Sequence, residues 1–162
     1  MDTIKLRGVV AEDFVNYKKP SMFLITSFCN FKCCIEAGIP NSVCQNEPMV
    51  RDTKIVDIHI NKLIDFYIKN DITKAVVFGG LEPMLQFEEV WNFINEFRKV
   101  SQDDVVIYTG YNKDEIVSEI NKLKEFGNII VKFGRFVPDQ ESHFDNVLGV
   151  ELCSPNQYGE RL

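Results

Sequence analysis

Apolar residues recur along this chain in two periods, and the two alternate. Met22 to Thr26 is a short apolar run behind Pro20, the pattern of a buried strand. From Val56 onward the apolar positions fall at Val56, Ile60, Leu63, Ile64 and Tyr67, one face of a helix that ends near Asn70. Lys74 to Phe78 reads as the next strand and is closed by Gly79-Gly80. Phe87, Val90, Trp91, Ile94 and Phe97 mark a second helical face, and Val105 to Thr109 a third strand. Asn112 with Glu115 has the form of a capping box, ahead of a stripe of Ile116, Ile120 and Leu123 that ends near Gly127. Ile129 to Phe133 is the fourth strand. The residues beyond, 134–162, are weakly periodic and predict mostly irregular structure, with one strand at Val147 to Leu152.

Strands that alternate with helices of this length predict an α/β fold of parallel βαβ units. Right-handed crossovers then bring every strand's C-terminal end to one side. The chemistry-bearing segments all follow strands: the cysteines after the first, Gly79-Gly80-Leu81-Glu82-Pro83 after the second, Tyr108-Thr109-Gly110-Tyr111 at the third, and Phe133-Gly134-Arg135-Phe136 after the fourth. Ligand sites in α/β sheets form at such a rim.

The 162 residues suffice for one core and are too few for two ordinary domains, so residues 1–162 are expected to form one unit. The net charge of −6, with no dense run of Lys or Arg, disfavours direct nucleic-acid binding. Met1 to Lys19 mixes charged and apolar residues and has the pattern of neither a signal peptide nor a membrane span, which predicts a cytoplasmic protein.

In a reducing compartment, five cysteines point to metal or redox chemistry rather than to disulfides. Four of them lie between Cys29 and Cys44, in a loop spanning 28–50. Thiolates bind soft metals and iron–sulfur clusters, and Cys29, Cys33 and Cys44 around a cubane of four irons leave one iron open to a substrate. A closed zinc site would need Cys34 as its fourth ligand, and adjacent residues seldom reach one ion together without strain. Cys153 stands apart, as a small apolar packing residue. Two glycines after a strand let a ligand approach the backbone, although a Gly-Gly turn is by itself only a turn. Glu82 can accept hydrogen bonds from an ammonium or stay solvated, and Arg135 can pair with a substrate carboxylate or lie on the surface. No P-loop or dinucleotide-binding glycine motif is present, and His59 and His143 have no nucleophile–acid partners in the sequence.

In this order, the motifs resemble those of the radical SAM superfamily, and within it the activating proteins of anaerobic ribonucleotide reductases. Ala11 to Asn16 resembles the family segment that ends Asp-Ile-Val-Asn. Cys29-x3-Cys33 is similar to the first half of its C-x3-C-x2-C motif, and Cys44-Gln45-Asn46-Glu47-Pro48 to the second half. An insertion, 34–43, separates the halves; Glu36 takes the usual place of the third cysteine, and Cys34 is an alternative third ligand. Gly79-Gly80-Leu81-Glu82-Pro83 resembles the Gly-Gly-Glu-Pro that binds the amino group of S-adenosylmethionine, with Leu81 as an extra residue. Tyr108-Thr109-Gly110-Tyr111 resembles a segment of the reductase activators specifically. Gly134-Arg135-Phe136 and Ser154-Pro155-Asn156-Gln157 are similar to the family's Asp-Gly-Arg-Phe and terminal Ser-Asn-Gln-Arg.

The resemblance implies a single-domain partial (βα) barrel with parallel strands, of the radical SAM type. It implies a 4Fe-4S cluster on Cys29, Cys33 and Cys44, and S-adenosylmethionine held by Gly79, Gly80, Glu82, Tyr108, Gly110 and Asn156. The expected activity is reductive cleavage of S-adenosylmethionine to a 5′-deoxyadenosyl radical that installs a glycyl radical on anaerobic ribonucleoside-triphosphate reductase. An electron donor such as flavodoxin or ferredoxin is implied as well. The alternatives are a radical SAM enzyme acting on another peptide or small molecule, and a non-catalytic protein that keeps an iron–sulfur cluster or zinc.

Overall fold

The structure, a computed structural model, describes residues 2–162. The strands are β1 (Thr3–Asp13), β2 (Ser21–Thr26), β3 (Val56–His59), β4 (Ala75–Gly79), β5 (Asp104–Tyr108), β6 (Ile129–Phe133), β7 (His143–Asp145), β8 (Val150–Leu152) and β9 (Tyr158–Arg161). The helices are α1 (Lys32–Ala37), α2 (Glu47–Asp52), α3 (Ile60–Ile68), α4 (Phe87–Phe97) and α5 (Val117–Leu123). Seven strands form one sheet in the order β3-β1-β2-β4-β5-β6-β9, and β7 pairs with β8 separately.

The middle of the sheet follows from the apolar runs. β4 and β6 are buried along their whole length and β5 along all but its last residue, as parallel strands covered on both faces must be. The pairings β2·β4, β4·β5 and β5·β6 are parallel, and sequence order equals spatial order across them. Successive crossovers that advance in one direction put their helices on one face. The main core accordingly joins Leu63 of α3, Phe93 and Phe97 of α4 and Ile120 of α5 to Val76, Ile107 and Val131 of the strands. The opposite face is a smaller cluster of Tyr17, Val77, Val106, Ile130, Leu148 and Leu152, to which no helix contributes. The segment 14–19 and the β7–β8 hairpin cover it.

The expected partial (βα) barrel of parallel strands does not form. Three of the sheet's six pairings are antiparallel, β1·β2, β1·β3 and β6·β9, so the sheet is mixed and its helices are few and short. The reason lies at the two ends of the chain. The N-terminal segment buries Ile4 and Leu6 on alternate positions and runs back along β2, while residues 158–161 close the other edge against β6. Antiparallel neighbours need no crossover helix, and such additions raise the strand content alone. The helix expected from Val56 starts instead at Ile60, because Val56 to His59 pairs with β1. The C-terminal segment is also more ordered than its weak periodicity implies, with β7, β8 and β9 in it. Among the described residues no helix is long and apolar enough to cross a membrane.

Candidate functional site

The cysteine loop leaves the sheet at the C-terminal end of β2, and both of its ends are pinned. The Ser27 amide donates to Gln86 Oε1 at 2.7 Å, and the Phe28 carbonyl accepts from the Glu82 amide at 2.7 Å. Cys29 comes next, its Sγ accepting from the Phe31 amide at 3.3 Å. Phe31 has a φ of 52°, a left-handed conformation that a bulky residue adopts only where the surroundings impose it. The chain then enters α1, which carries Cys33 and Cys34 and stops at Gly38. A single 3-10 turn, Asn41–Val43, leads to Cys44 and to α2, with Pro48 in its first turn.

Arg7 of β1 ties the two ends of this loop together. Its Nε donates to the Ser27 carbonyl at 2.9 Å, and Nη1 reaches the carbonyls of Met49 and Val50 at 3.3 Å each and of Thr53 at 2.9 Å. One guanidinium thus spans the residues just before Cys29 and the C-terminal carbonyls of the helix after Cys44, where a cation is favoured.

The loop closes over a cavity of about 320 Å³ at the C-terminal ends of β2, β4, β5 and β6. Cys29, Cys33, Cys34, Cys44 and Cys153, all five cysteines of the chain, line it. Gly80, Leu81 and Glu82 contribute from β4, Tyr108, Thr109 and Gly110 from β5, and Lys132, Gly134 and Arg135 from β6. A smaller cavity of about 40 Å³, lined by Cys29, Cys33, Glu82 and Arg135 among others, adjoins it. Gly80 turns at a φ of +80° and Gly134 at +97°; a Cβ on Gly134 would stand 2.7 Å from the Asn156 carbonyl oxygen. Both turns therefore require glycine.

Glu82 is buried and almost saturated. Its carboxylate accepts from the Met84 amide at 3.0 Å, the Thr109 hydroxyl at 2.8 Å and the Gly110 amide at 2.8 Å. Burial raises its pKa and these hydrogen bonds work against the rise. Burial also pushes the Cys29 thiol up to about 11; the Phe31 amide opposes this, and Glu82, Cys33 and Cys44 add to it. A thiol so placed ionises when a cation arrives, and metal binding then releases its proton.

The sequence-derived candidates divide. Cys29, Cys33, Cys44, Gly80, Glu82, Tyr108 and Gly110 share the cavity wall; Gly79 and Asn156 do not belong to it. Gly79 is the last residue of β4 and packs between Phe23 and Tyr108, whereas Asn156 donates to the Arg135 carbonyl at 2.8 Å and so shapes the turn after β6. The extra Leu81 is buried and leaves Glu82 on the wall. Tyr108 directs its hydroxyl to the Asn16 carbonyl at 2.5 Å. Arg135 forks onto Glu115 at 2.7 and 2.9 Å and donates through Nε to Glu36 at 2.5 Å, latching α1 to the far rim. Lys32 joins the latch through Glu115 at 2.9 Å.

Cys153, expected as an apolar packing residue, is exposed and on the cavity wall. Lys132, Arg7 and Cys153 are the participants that sequence reasoning missed. The signal for Lys132 was a lone lysine inside the otherwise apolar run Ile129 to Phe133.

The donor set suits an iron–sulfur cluster. Among the described residues no three Cys, His, Asp or Glu side chains converge tightly enough to hold a single metal ion. A single tetrahedral ion needs such convergence, whereas a cubane spreads its thiolates over separate iron corners. The sulfurs are soft donors, and Glu82, the one carboxylate among the described residues that line the cavities, is engaged elsewhere. A family model described as a 4Fe-4S single cluster domain matches residues 20–152. No curated protein and no solved structure matches the chain.

Proposed function

The chain belongs to the 4Fe-4S single cluster domain family, and from that premise we propose that it is a radical SAM activating enzyme whose cluster is held by Cys29, Cys33 and Cys44. The observation that carries this reading is the convergence of the cysteine loop and the three strand-end motifs on one cavity. Held by Cys29, Cys33 and Cys44, such a cluster would supply the single electron needed to part the sulfonium of S-adenosylmethionine into methionine and a 5′-deoxyadenosyl radical. The protein's share is orientation and the exclusion of water. Glu82, fixed by Thr109 and Gly110, presents a rigid negative wall, and the Arg135–Glu36 contact holds α1 down over the site. The target proposed for the radical is a backbone glycine of an anaerobic ribonucleotide reductase, with flavodoxin or ferredoxin as electron donor. Activity rests on the site and not on the barrel, which this chain lacks.

Purification without oxygen, iron and sulfide analysis, then dithionite with S-adenosylmethionine test the reading. Four irons per chain and formation of 5′-deoxyadenosine support it; a reducible cluster that yields none ends it. Cys44→Ala abolishes cluster assembly and Cys34→Ala retains it; the reverse result moves the third ligand to Cys34.

One observation favours a second reading, that of a closed cluster for electron transfer or for structure: Cys34 and Cys153 line the same cavity and offer a fourth thiolate. In that case Cys153→Ala or Cys34→Ala loses iron, and S-adenosylmethionine leaves the electron paramagnetic resonance spectrum of the reduced cluster unchanged.

A further inference from the structure

Three cations stand around the two cavities, Lys32, Arg135 and Lys132, and two of them are already paired. Lys32 is held by Glu115, and Arg135 uses its fork and its Nε on Glu115 and Glu36 and adds a bond from Nη1 to the Gly110 carbonyl. Lys132 differs. It lies one residue before the end of β6, on the face shared with Ile130, and is only 8% exposed. Its Nζ makes one hydrogen bond, to the Gly134 carbonyl at 2.8 Å. Among the described residues no ion pair joins it to a carboxylate. An ammonium carries three N–H donors, so two stay unused in a wall where burying a charge is costly.

Resting on the reading of S-adenosylmethionine as ligand, we propose that Lys132 takes the ligand's carboxylate, the role that the sequence offers to Arg135.

The surroundings select the kind of anion. Glu82 shares the cavity wall with Lys132, and among its neighbours it is the one whose charge acts most strongly on the ammonium. A wall that sets one cation beside a carboxylate disfavours a phosphate or any multiply charged anion. It suits a zwitterion, whose carboxylate meets Lys132 while its ammonium is attracted by Glu82. Burial lowers the Lys132 pKa to about 8, which leaves the ammonium charged at neutral pH. Its attachment to a strand paired on both sides rather than to a loop fixes the position of the charge.

The test measures binding without turnover. The oxidised, cluster-loaded protein is titrated with S-adenosylmethionine and with its decarboxylated analogue, in the wild type and in Lys132→Met and Lys132→Gln. Iron content and thermal midpoint serve as controls of folding. The expected result is about a tenfold or greater loss of affinity for S-adenosylmethionine in both variants, with affinity for the decarboxylated analogue unchanged. Equal losses for the two ligands mean that Lys132 only supports the wall, and unchanged affinities mean that it has no part in binding; either result overturns the inference. If wild type binds S-adenosylmethionine and the variants bind it equally well, this inference alone falls. If wild type binds neither compound, the parent reading falls and takes this one with it.

Discussion

Asp104, at the start of β5, and Lys132, near the end of β6, are both buried charges in the parallel part of the sheet, and the chain surrounds them differently. Asp104 accepts from Lys19 Nζ at 2.7 Å, the Tyr17 hydroxyl at 2.8 Å and Arg161 Nη1 at 3.0 Å. Burial by itself would raise its pKa, but the hydrogen bonds from Arg161, Lys19 and Tyr17 prevail and bring it down to about 2. Lys132 has the single Gly134 carbonyl. The closed network stands at the end of the strands away from the cavity and joins β1's exit, β5 and the edge strand β9. The open one stands on the cavity. A buried charge with all its partners present fixes a fold, and one with donors to spare marks a place where something else binds.

The sharpest way to break this contrast is to remove Asp104. Asp104→Ala strips three donors of their shared acceptor, two of them charged, and unfolding by denaturant should show a loss of about 3 kcal/mol. The surviving folded protein should take up iron as wild type does, because nothing in this network touches the cysteine loop. A loss of iron without a loss of stability would reverse the roles assigned to the two ends.

Arg7 separates bonding from location, since its Nε and Nη1 hold several carbonyls yet it belongs to the cavity end. Arg7→Ala should cost about 1.5 kcal/mol, the value of charged hydrogen bonds in a partly exposed setting. Its larger effect should be local. With the C-terminal carbonyls of α2 released, Cys44 in the metal-free protein should be alkylated several-fold faster than in wild type, measured against exposed Cys153 as internal reference. Arg7→Lys should not restore protection, because an ammonium cannot reach Ser27 and Thr53 at once. Unchanged labelling would show that the loop is held without Arg7.

What the sequence discloses differs between the same two ends. The parallel strands were legible because β4, β5 and β6 are continuous apolar runs, and the helices of α4 and α5 because Phe87 to Phe97 and Ile116 to Leu123 keep a strict period. That the strand-end motifs meet on one rim followed from topology alone. The edge strands were hidden. β1 carries Lys5, Arg7, Glu12 and Asp13 between its apolar residues, and β9 is only Tyr158–Arg161. Their pairing depends on partners far along the chain, which periodicity cannot reveal, and it is what makes the sheet mixed. The site's chemistry was legible in the cysteines and in Glu82, whereas its charge balance was not. That Arg135 is used up by Glu36 and Glu115, across 99 and 20 residues, while Lys132 is spared, depends on contacts that only the folded chain makes.

Acid should reach the closed end and spare the open one. A carboxyl held at about 2 in the folded chain, against an ordinary 3.8, gives stability that is complete above pH 4. It is lost as the pH falls through the folded value. Lys19 and Arg161 are 45% exposed, and after allowance for solvent screening the loss should be about 1 kcal/mol. Thermal midpoints of wild type and Asp104→Asn should therefore approach each other between pH 4 and pH 2. Parallel curves over that interval would place the acid sensitivity elsewhere.

The smallest effect belongs to Lys132 and is the most diagnostic, because its sign differs. Lys132→Met removes an ammonium that burial disfavours and puts an unbranched apolar chain in its place. Against that relief stands Glu82, which loses a neighbouring positive charge. The two nearly cancel, and the metal-free variant should lie within about 1 kcal/mol of wild type, on the stable side. A structural cation behaves otherwise: removing it leaves acceptors bare and costs stability, as at Asp104 in mirror image. Denaturant unfolding of the two variants side by side therefore decides whether the difference between the ends is one of role. A loss at Lys132 as large as that at Asp104 would mean that both are parts of the frame, whatever binds in the cavity.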